Sequence, residues 1–328
     1  MMKTTGSTGK KRRWPRVLAL ILAVLAVLAA AALALVGNYF YNFALNPRSP
    51  AAFAPTADVV GSDAGTSGDG ATRGDNLWLV ENAEDVSLTS RDGLALHAYR
   101  VEGAQPHRYA VVCHGYQSNA SQTGGFARRF YGMGYTVLAP DARGHGLSGG
   151  DYIGMGWPER RDIVDWCGQI AAQDPLAEIV LFGISMGGAT VMMASGEADL
   201  PANVRAVVED CGYTSAWDEF AGQLRELFGL PAFPILDVTN LVTRLRAGWD
   251  MREASAVNQV ARSVTPTLFI HGDADTFVPF WMLDAVYGAA ACEKEKLVVP
   301  GAAHAQAAAV DPELYWGTVE EFLAGHMG

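Results

Sequence analysis

Beyond residue 77 the chain is a succession of short, largely apolar runs at 109–113, 136–139, 178–182, 204–209, 267–270 and 296–299, each bounded by Gly, Pro, Asp or His. Strands this apolar have no face to offer water, so both sides of the sheet they form must be covered. Helices joining consecutive strands supply that cover and force the strands to run parallel. Most of the intervals here do have helical character. The pattern therefore predicts an α/β architecture, a mostly parallel sheet of about eight strands with helices on both faces. Residues 85–90 and 95–101, separated by Arg91-Asp92-Gly93, predict an opening hairpin. One interval breaks the rhythm. Between 213 and 255 no strand is evident, while Trp217, Phe220, Leu224, Leu227 and Phe228 recur near helical spacing before Pro231 and Pro234, which predicts a helical insertion. No internal repeat is visible.

The N-terminal part obeys different rules. Lys3, Lys10, Lys11, Arg12, Arg13 and Arg16 crowd residues 1–16, and the first acidic residue is Asp58, although the whole chain carries a net charge of -11. Residues 17–36 are an unbroken run of Val, Leu, Ile and Ala, the length a helix needs to cross the hydrocarbon core. The basic tail predicts a cytoplasmic N-terminus and a catalytic region outside, with Tyr39, Phe40 and Tyr41 at the interface. A signal peptide cut near Ala32-Leu33-Ala34 is the alternative, which would make the protein secreted; the run exceeds the usual h-region, favouring a retained anchor. Residues 37–76 read as a juxtamembrane segment and linker. Within them, 61–76 are mostly Gly, Ser, Thr, Asp and Ala and predict a flexible tether. For 38–60 the sequence leaves open whether the aromatics dock on the body or lie at the membrane surface. Residues 77–328 form the expected catalytic domain. The acidic balance argues against nucleic acid as a partner, and Cys113, Cys167, Cys211 and Cys292 form no CxxC pair, so no metal or redox motif is indicated.

A serine hydroxyl is a poor nucleophile at neutral pH; acyl-transfer sites place it beside a histidine, orient the histidine with a carboxylate and aim backbone N–H groups at the oxyanion. Gly-x-Ser-x-Gly, the signature of a sharp strand-to-helix turn that exposes such a serine, occurs twice, around Ser185 and around Ser148. Ser185 follows an apolar strand and precedes a credible helix. Ser148 lies in a glycine-rich loop after Asp141-Ala142-Arg143-Gly144-His145 and reads as a turn residue.

Five motifs in order then carry a family resemblance: Cys113-His114-Gly115-Tyr116, residues 140–146, the turn at Ser185, His271-Gly272-Asp273-Ala274-Asp275 and Gly301-Ala302-Ala303-His304. From about residue 85 onward the chain resembles the α/β-hydrolase superfamily. It is most similar to bacterial, often membrane-anchored, serine esterases related to the prolyl-oligopeptidase-like hydrolases. The resemblance implies the chain order Ser, acid, His. Asp275 occupies the carboxylate position of the motif, with Val278 and Pro279 following; Asp273 and Asp210 are the alternatives. Of the histidines after the serine, His304 follows a strand in a loop, His271 ends a strand as a structural residue, and His326 is nearly terminal. Backbone N–H groups of Met186 and Tyr116 are expected to form the oxyanion hole. The insertion at 213–255 corresponds to a lid, with Trp217 and Phe220 as candidate pocket residues.

The expected activity is hydrolysis of a small-molecule or lipid-like carboxylic ester through an acyl-enzyme on Ser185, with His304 as base and Asp275 orienting it. No cofactor is implied. Amide, peptide or thioester hydrolysis by the same residues is the alternative, and a non-catalytic surface binding protein is a more distant one.

Overall fold

The computed structural model describes residues 14–49 and 73–328. Most of the basic tail and residues 61–72 of the expected tether lie outside the described residues.

Eight strands form one sheet in the order β1-β2-β4-β3-β5-β6-β7-β8. At one edge β1 (Glu84–Thr89) and β2 (Ala95–Val101) make the expected hairpin, and β2 meets β4 (Thr136–Pro140) antiparallel. All other neighbours are parallel: β3 (Arg108–Cys113), β4, β5 (Glu178–Ile184), β6 (Val204–Asp210), β7 (Thr267–Gly272) and β8 (Lys294–Val299). Side chains alternate across the pleat. Ala110, Val112, Val180 and Phe182 pack with α3 (Gly124–Gly132) and α11 (Pro312–His326) on one face. Val111, Ile179 and Leu181 pack with α4 (Glu159–Gln173) and part of α5 (Met186–Ser195) on the other. The sheet is thus covered on both sides, as its apolar strands demand.

The insertion comprises α6 (Ala216–Phe228) and α7 (Ala232–Arg246). Its two ends meet in an isolated antiparallel bridge between Ser215 and Ser255. Each of these serines also caps a helix, accepting from the backbone N–H of Asp218 and of Asn258, the latter in α8 (Ala256–Val260). Two remaining helices, α9 (Trp281–Ala289) and α10 (Ala307–Val310), follow β7 and β8.

Helix α1 (Trp14–Ala44) has 31 residues, about 46 Å at 1.5 Å per residue. Its apolar portion is exposed, but Gly37 and Tyr41 are buried, and so is Leu45 just beyond it. These positions are four apart and share one face. A Cβ on Gly37 would stand 2.8 Å from the Val238 carbonyl oxygen, so only glycine permits α1 to approach α7 this closely. Arg246 donates to Asn38 Oδ1 at 2.9 Å and covers the Tyr41 ring, and the Ile153 N–H donates to the Leu45 carbonyl at 2.8 Å. The aromatic segment after the apolar run therefore docks on the body. Helix α2 (Arg73–Asn82) is a correction to the tether: it starts inside 61–76, and Asn76 Oδ1 accepts from the Gly124 N–H at 3.1 Å while Asp75 pairs with Arg128 at 2.7 Å.

Buried Asp141 ties together the loops that follow β3 and β4. Its carboxylate accepts from the backbone N–H of Ala120 at 2.8 Å and of Leu147 at 3.0 Å, and faces His97 Nδ1 at 2.8 Å. Replacing it by alanine leaves buried donors unpaired, each costing about 1–3 kcal/mol. Urea unfolding of Asp141→Ala is expected to show a loss of roughly 3 kcal/mol or more, against an unchanged midpoint if the loops hold without it.

Candidate active site

Ser185 sits between β5 and α5 with φ 56° and ψ −117°, outside the regions comfortable for an L-residue. Tight packing holds it there. A Cβ on Gly183 would lie 2.2 Å from the Gly187 carbonyl oxygen, and one on Gly187 would lie 2.2 Å from that of Cys113. The bend can close only with glycine at both positions, and it presents the hydroxyl at the carboxyl end of the sheet.

The loop after β8 brings His304 to it. Nε2 lies 2.9 Å from Ser185 Oγ, and Nδ1 lies 2.8 Å from Asp275 Oδ2 in the loop after β7. Asp275 Oδ1 accepts from the N–H groups of Phe277 at 2.9 Å and Val278 at 3.0 Å, which leaves Oδ2 to face the ring. Burial raises the Asp275 pKa, but His304 and His271 facing it outweigh burial and bring it down to about 2. An ionised Asp275 favours a proton on Nδ1, which leaves Nε2 as the acceptor for the serine proton. The Phe277 ring packs against the imidazole with centroids 4.8 Å apart.

The alternatives raised by the sequence sit elsewhere. Ser148 Oγ donates to the Asp141 carbonyl at 2.7 Å and accepts from the His97 N–H, a turn residue's role. Asp273 accepts from the Gly301 N–H at 2.6 Å, and Asp210 from the Tyr315 hydroxyl at 2.9 Å. His271 lies inside β7 with Nε2 2.9 Å from the Val278 carbonyl and 3.2 Å from Asp275 Oδ2, so it buttresses the carboxylate from behind. His326 ends α11 against Phe322. His114 and His145 accept from the N–H groups of Ala142 and Gln117, holding the loop that carries Tyr116. Met186 opens α5 directly after Ser185, and a Cβ on Gly115 would be 3.5 Å from that of Ser185, so the Tyr116 loop lies against the serine.

Beside Ser185 is a cavity lined by Tyr116, Met155, Tyr213, Phe220, Leu227 and Phe277 among others. Phe220 lines it. Trp217 does not: the Arg252 guanidinium lies over its ring, 3.5 Å from the centroid. Several lining residues, Phe43, Ala44, Met155, Glu219, Gln223 and Phe277 among them, went unnoticed in the sequence. Phe43 and Ala44 come from α1, and their place depends on docking that no local pattern announces. Glu219 was discernible as an acid on the buried face of α6 beside Phe220. Its Oε1 accepts from Gln223 at 3.1 Å, while its Oε2 and the Tyr213 hydroxyl, both buried, have no hydrogen-bond partner among the described residues. Burial raises the Glu219 pKa to about 8, leaving a neutral acid at neutral pH.

Residues 104–226 match the family model described as serine aminopeptidase, S33. The chain is 26% identical over 251 residues to the uncharacterized protein YqkD of Bacillus subtilis, covering 75% of this chain and 82% of that one. It is 27% identical over 262 residues to the alpha/beta hydrolase domain-containing protein WAV2 of Arabidopsis thaliana, covering 73% and 78%. An esterase structure from Pyrococcus furiosus superposes with a TM-score of 0.62 at 24% identity, covering 75% of this chain and 92% of that one. The chain has the α/β-hydrolase fold. In this fold Ser185, Asp275 and His304 follow one another in that order along the chain, each beyond the carboxyl end of a strand.

The neutral Glu219 makes a signed prediction. Its folded pKa of about 8 exceeds the ordinary 4.5, so the native state keeps a proton that the unfolded chain releases. The contribution is present below about pH 4.5 and is lost as pH rises toward 8. Glu209, also raised to about 8 by burial, acts in the same direction. Melting temperature is expected to fall across this window in the native sequence and to fall less steeply in Glu219→Gln; parallel curves would contradict a buried neutral acid.

Proposed function

We propose that the protein is a membrane-anchored serine hydrolase that cleaves carboxylic esters, with Ser185, His304 and Asp275 as its catalytic triad. The observation that carries this is the hydrogen-bonded chain from Ser185 Oγ through His304 to Asp275, at 2.9 and 2.8 Å, opening on a mainly apolar cavity. Ser185 Oγ attacks the ester carbonyl carbon as its proton passes to His304 Nε2. The oxyanion is held by the N–H groups of Met186 and Tyr116. Collapse breaks the carbon–oxygen bond, and the alcohol leaves with the proton from His304. A water then adds to the acyl carbon, giving its proton to His304, and the acid departs as Ser185 recovers its hydrogen. Asp275 remains ionised throughout, in keeping with a pKa of about 2.

Amide hydrolysis by the same groups is the second reading. It is favoured by the carboxyl of Glu219 in the cavity, which when ionised suits an amine-bearing substrate, and by the aminopeptidase description of the matching family model. The neutral state of Glu219 near pH 7 weighs toward the ester. Residues 17–36 are proposed to span the bilayer, with the basic tail cytoplasmic and the catalytic domain, residues 77–328, outside; the length and apolarity of α1 support this.

A fluorophosphonate probe is expected to label the native protein and not Ser185→Ala. Asp275→Asn is expected to keep the fold and lose about 10³–10⁴ in kcat, because the amide stabilises the wrong imidazole tautomer. Native protein that resists the probe, or Ser185→Ala that labels equally, would refute the assignment. Turnover of matched nitrophenyl esters and nitroanilides separates the two readings.

A further inference from the structure

We propose that the last turns of α1 form a wall of the acyl-binding site, and that the acyl chain bound there belongs to a lipid ester of the bilayer that α1 enters. This rests on the ester reading above and names its substrate class.

The cavity beside Ser185 adjoins a second one of about 420 Å³ empty volume; Phe43, Ala44, Phe220, Gln223 and Leu227 line both. Apart from Gln223 and Thr239, every residue lining the second cavity is apolar, and it reaches Phe40 and Phe228. The two apolar cavities, with these walls in common, lie between the nucleophile and the surface of α1, and Phe43 lies only about 10 Å along the helix axis from residue 36, where the apolar run ends. The wall is firmly set. The Tyr116 hydroxyl donates to the Ala44 carbonyl at 2.7 Å, so the helix end is bonded to the very residue proposed for the oxyanion hole. Phe228 of the lid packs edge-on against Phe40 at 5.2 Å and Phe43 at 5.3 Å. Around this end of the cavities the lid leaves Leu227, Phe228 and Phe233 exposed at 43%, 37% and 76%. Aromatic and aliphatic side chains beside a membrane helix are at home at the lipid interface, whereas a site for water-soluble esters has no need of a membrane helix in its wall.

Chemically, a single ester bond links an acyl chain to a polar alcohol. With the chain in the apolar cavities the carbonyl reaches Ser185, and hydrolysis with one water releases the fatty acid and the alcohol.

The full-length protein in phosphatidylcholine vesicles tests this with nitrophenyl esters from butyrate to palmitate. For the native protein kcat/KM is expected to rise by roughly threefold to fourfold per methylene until the cavities are filled. Ala44→Phe narrows the junction of the two cavities and is expected to lower the laurate-to-butyrate ratio on the order of tenfold or more. Fluorophosphonate labelling of Ser185 reports whether the variant's site is assembled; if that variant does not fold, Phe43→Ala is expected to move the optimum toward longer chains. A flat native profile, or an unchanged optimum in labelled variants, overturns the proposal. A lipid ester in the same vesicles as the enzyme is expected to be cleaved faster than the same ester in separate vesicles, and equal rates overturn the bilayer source. Native protein that takes no label refutes the hydrolase reading itself, a result distinct from these.

Discussion

The bend at Ser185 is the constraint on which the rest of the site depends. A side chain held at φ 56° and ψ −117° costs free energy of order 1–3 kcal/mol, and it persists because its surroundings leave no room to relax. Gly187 packs onto the end of β3 and Gly183 onto the first turn of α5, at separations where any Cβ would clash with a carbonyl oxygen. Those contacts need β3 and β5 side by side in register, Cys113 opposite Gly183. The parallel sheet is therefore the jig for the strained serine, and the loops after β7 and β8 bring the other two groups to it.

Electrostatics in the site follow from burial opposed or unopposed. Asp275, Glu209, Glu219 and Asp210 are all buried acids, yet they diverge. Asp275 faces two imidazoles and two backbone N–H groups, so it stays ionised to about pH 2 despite burial. For Glu219 burial and the like charges of Asp275 and Asp218 outweigh the Gln223 amide and His271, and Glu209 is offset only by His271 and a backbone N–H; burial prevails and raises both to about 8. Asp210, helped by the Tyr315 hydroxyl, lies between at about 6. Such a spread lets one site hold a permanent carboxylate beside neutral acids.

Helix α1 joins two environments. Its apolar part finds no cover in the body, while Gly37, Tyr41 and Leu45 are packed as tightly as core residues. Helix α7 of the insertion lies against this docked end, so α1, the insertion and the cavity make one unit in which shifting α1 shifts the walls around Ser185.

Sequence alone determined the architecture, because apolar strands alternating with helical segments admit few solutions other than a doubly covered parallel sheet. It also singled out Ser185 over Ser148, since a strand before and a helix after are local features. Asp275 and His304 were nameable through motif order, while their 2.8 Å meeting is a property of the folded chain alone. The parts that sequence left unread share a physical cause. Phe43 and Ala44 lie far from Ser185 along the chain and reach it only because Gly37 lets α1 touch α7. Trp217 and Phe220 look alike in a helical pattern, and only the orientation of α6 sends one to the cavity and the other beneath Arg252. Helix α2 begins within a polar stretch whose composition reads as tether, and it is secured by Asp75 and Asn76 pairing with α3. Periodicity records which residues are buried; which partners they are buried against is decided by tertiary packing.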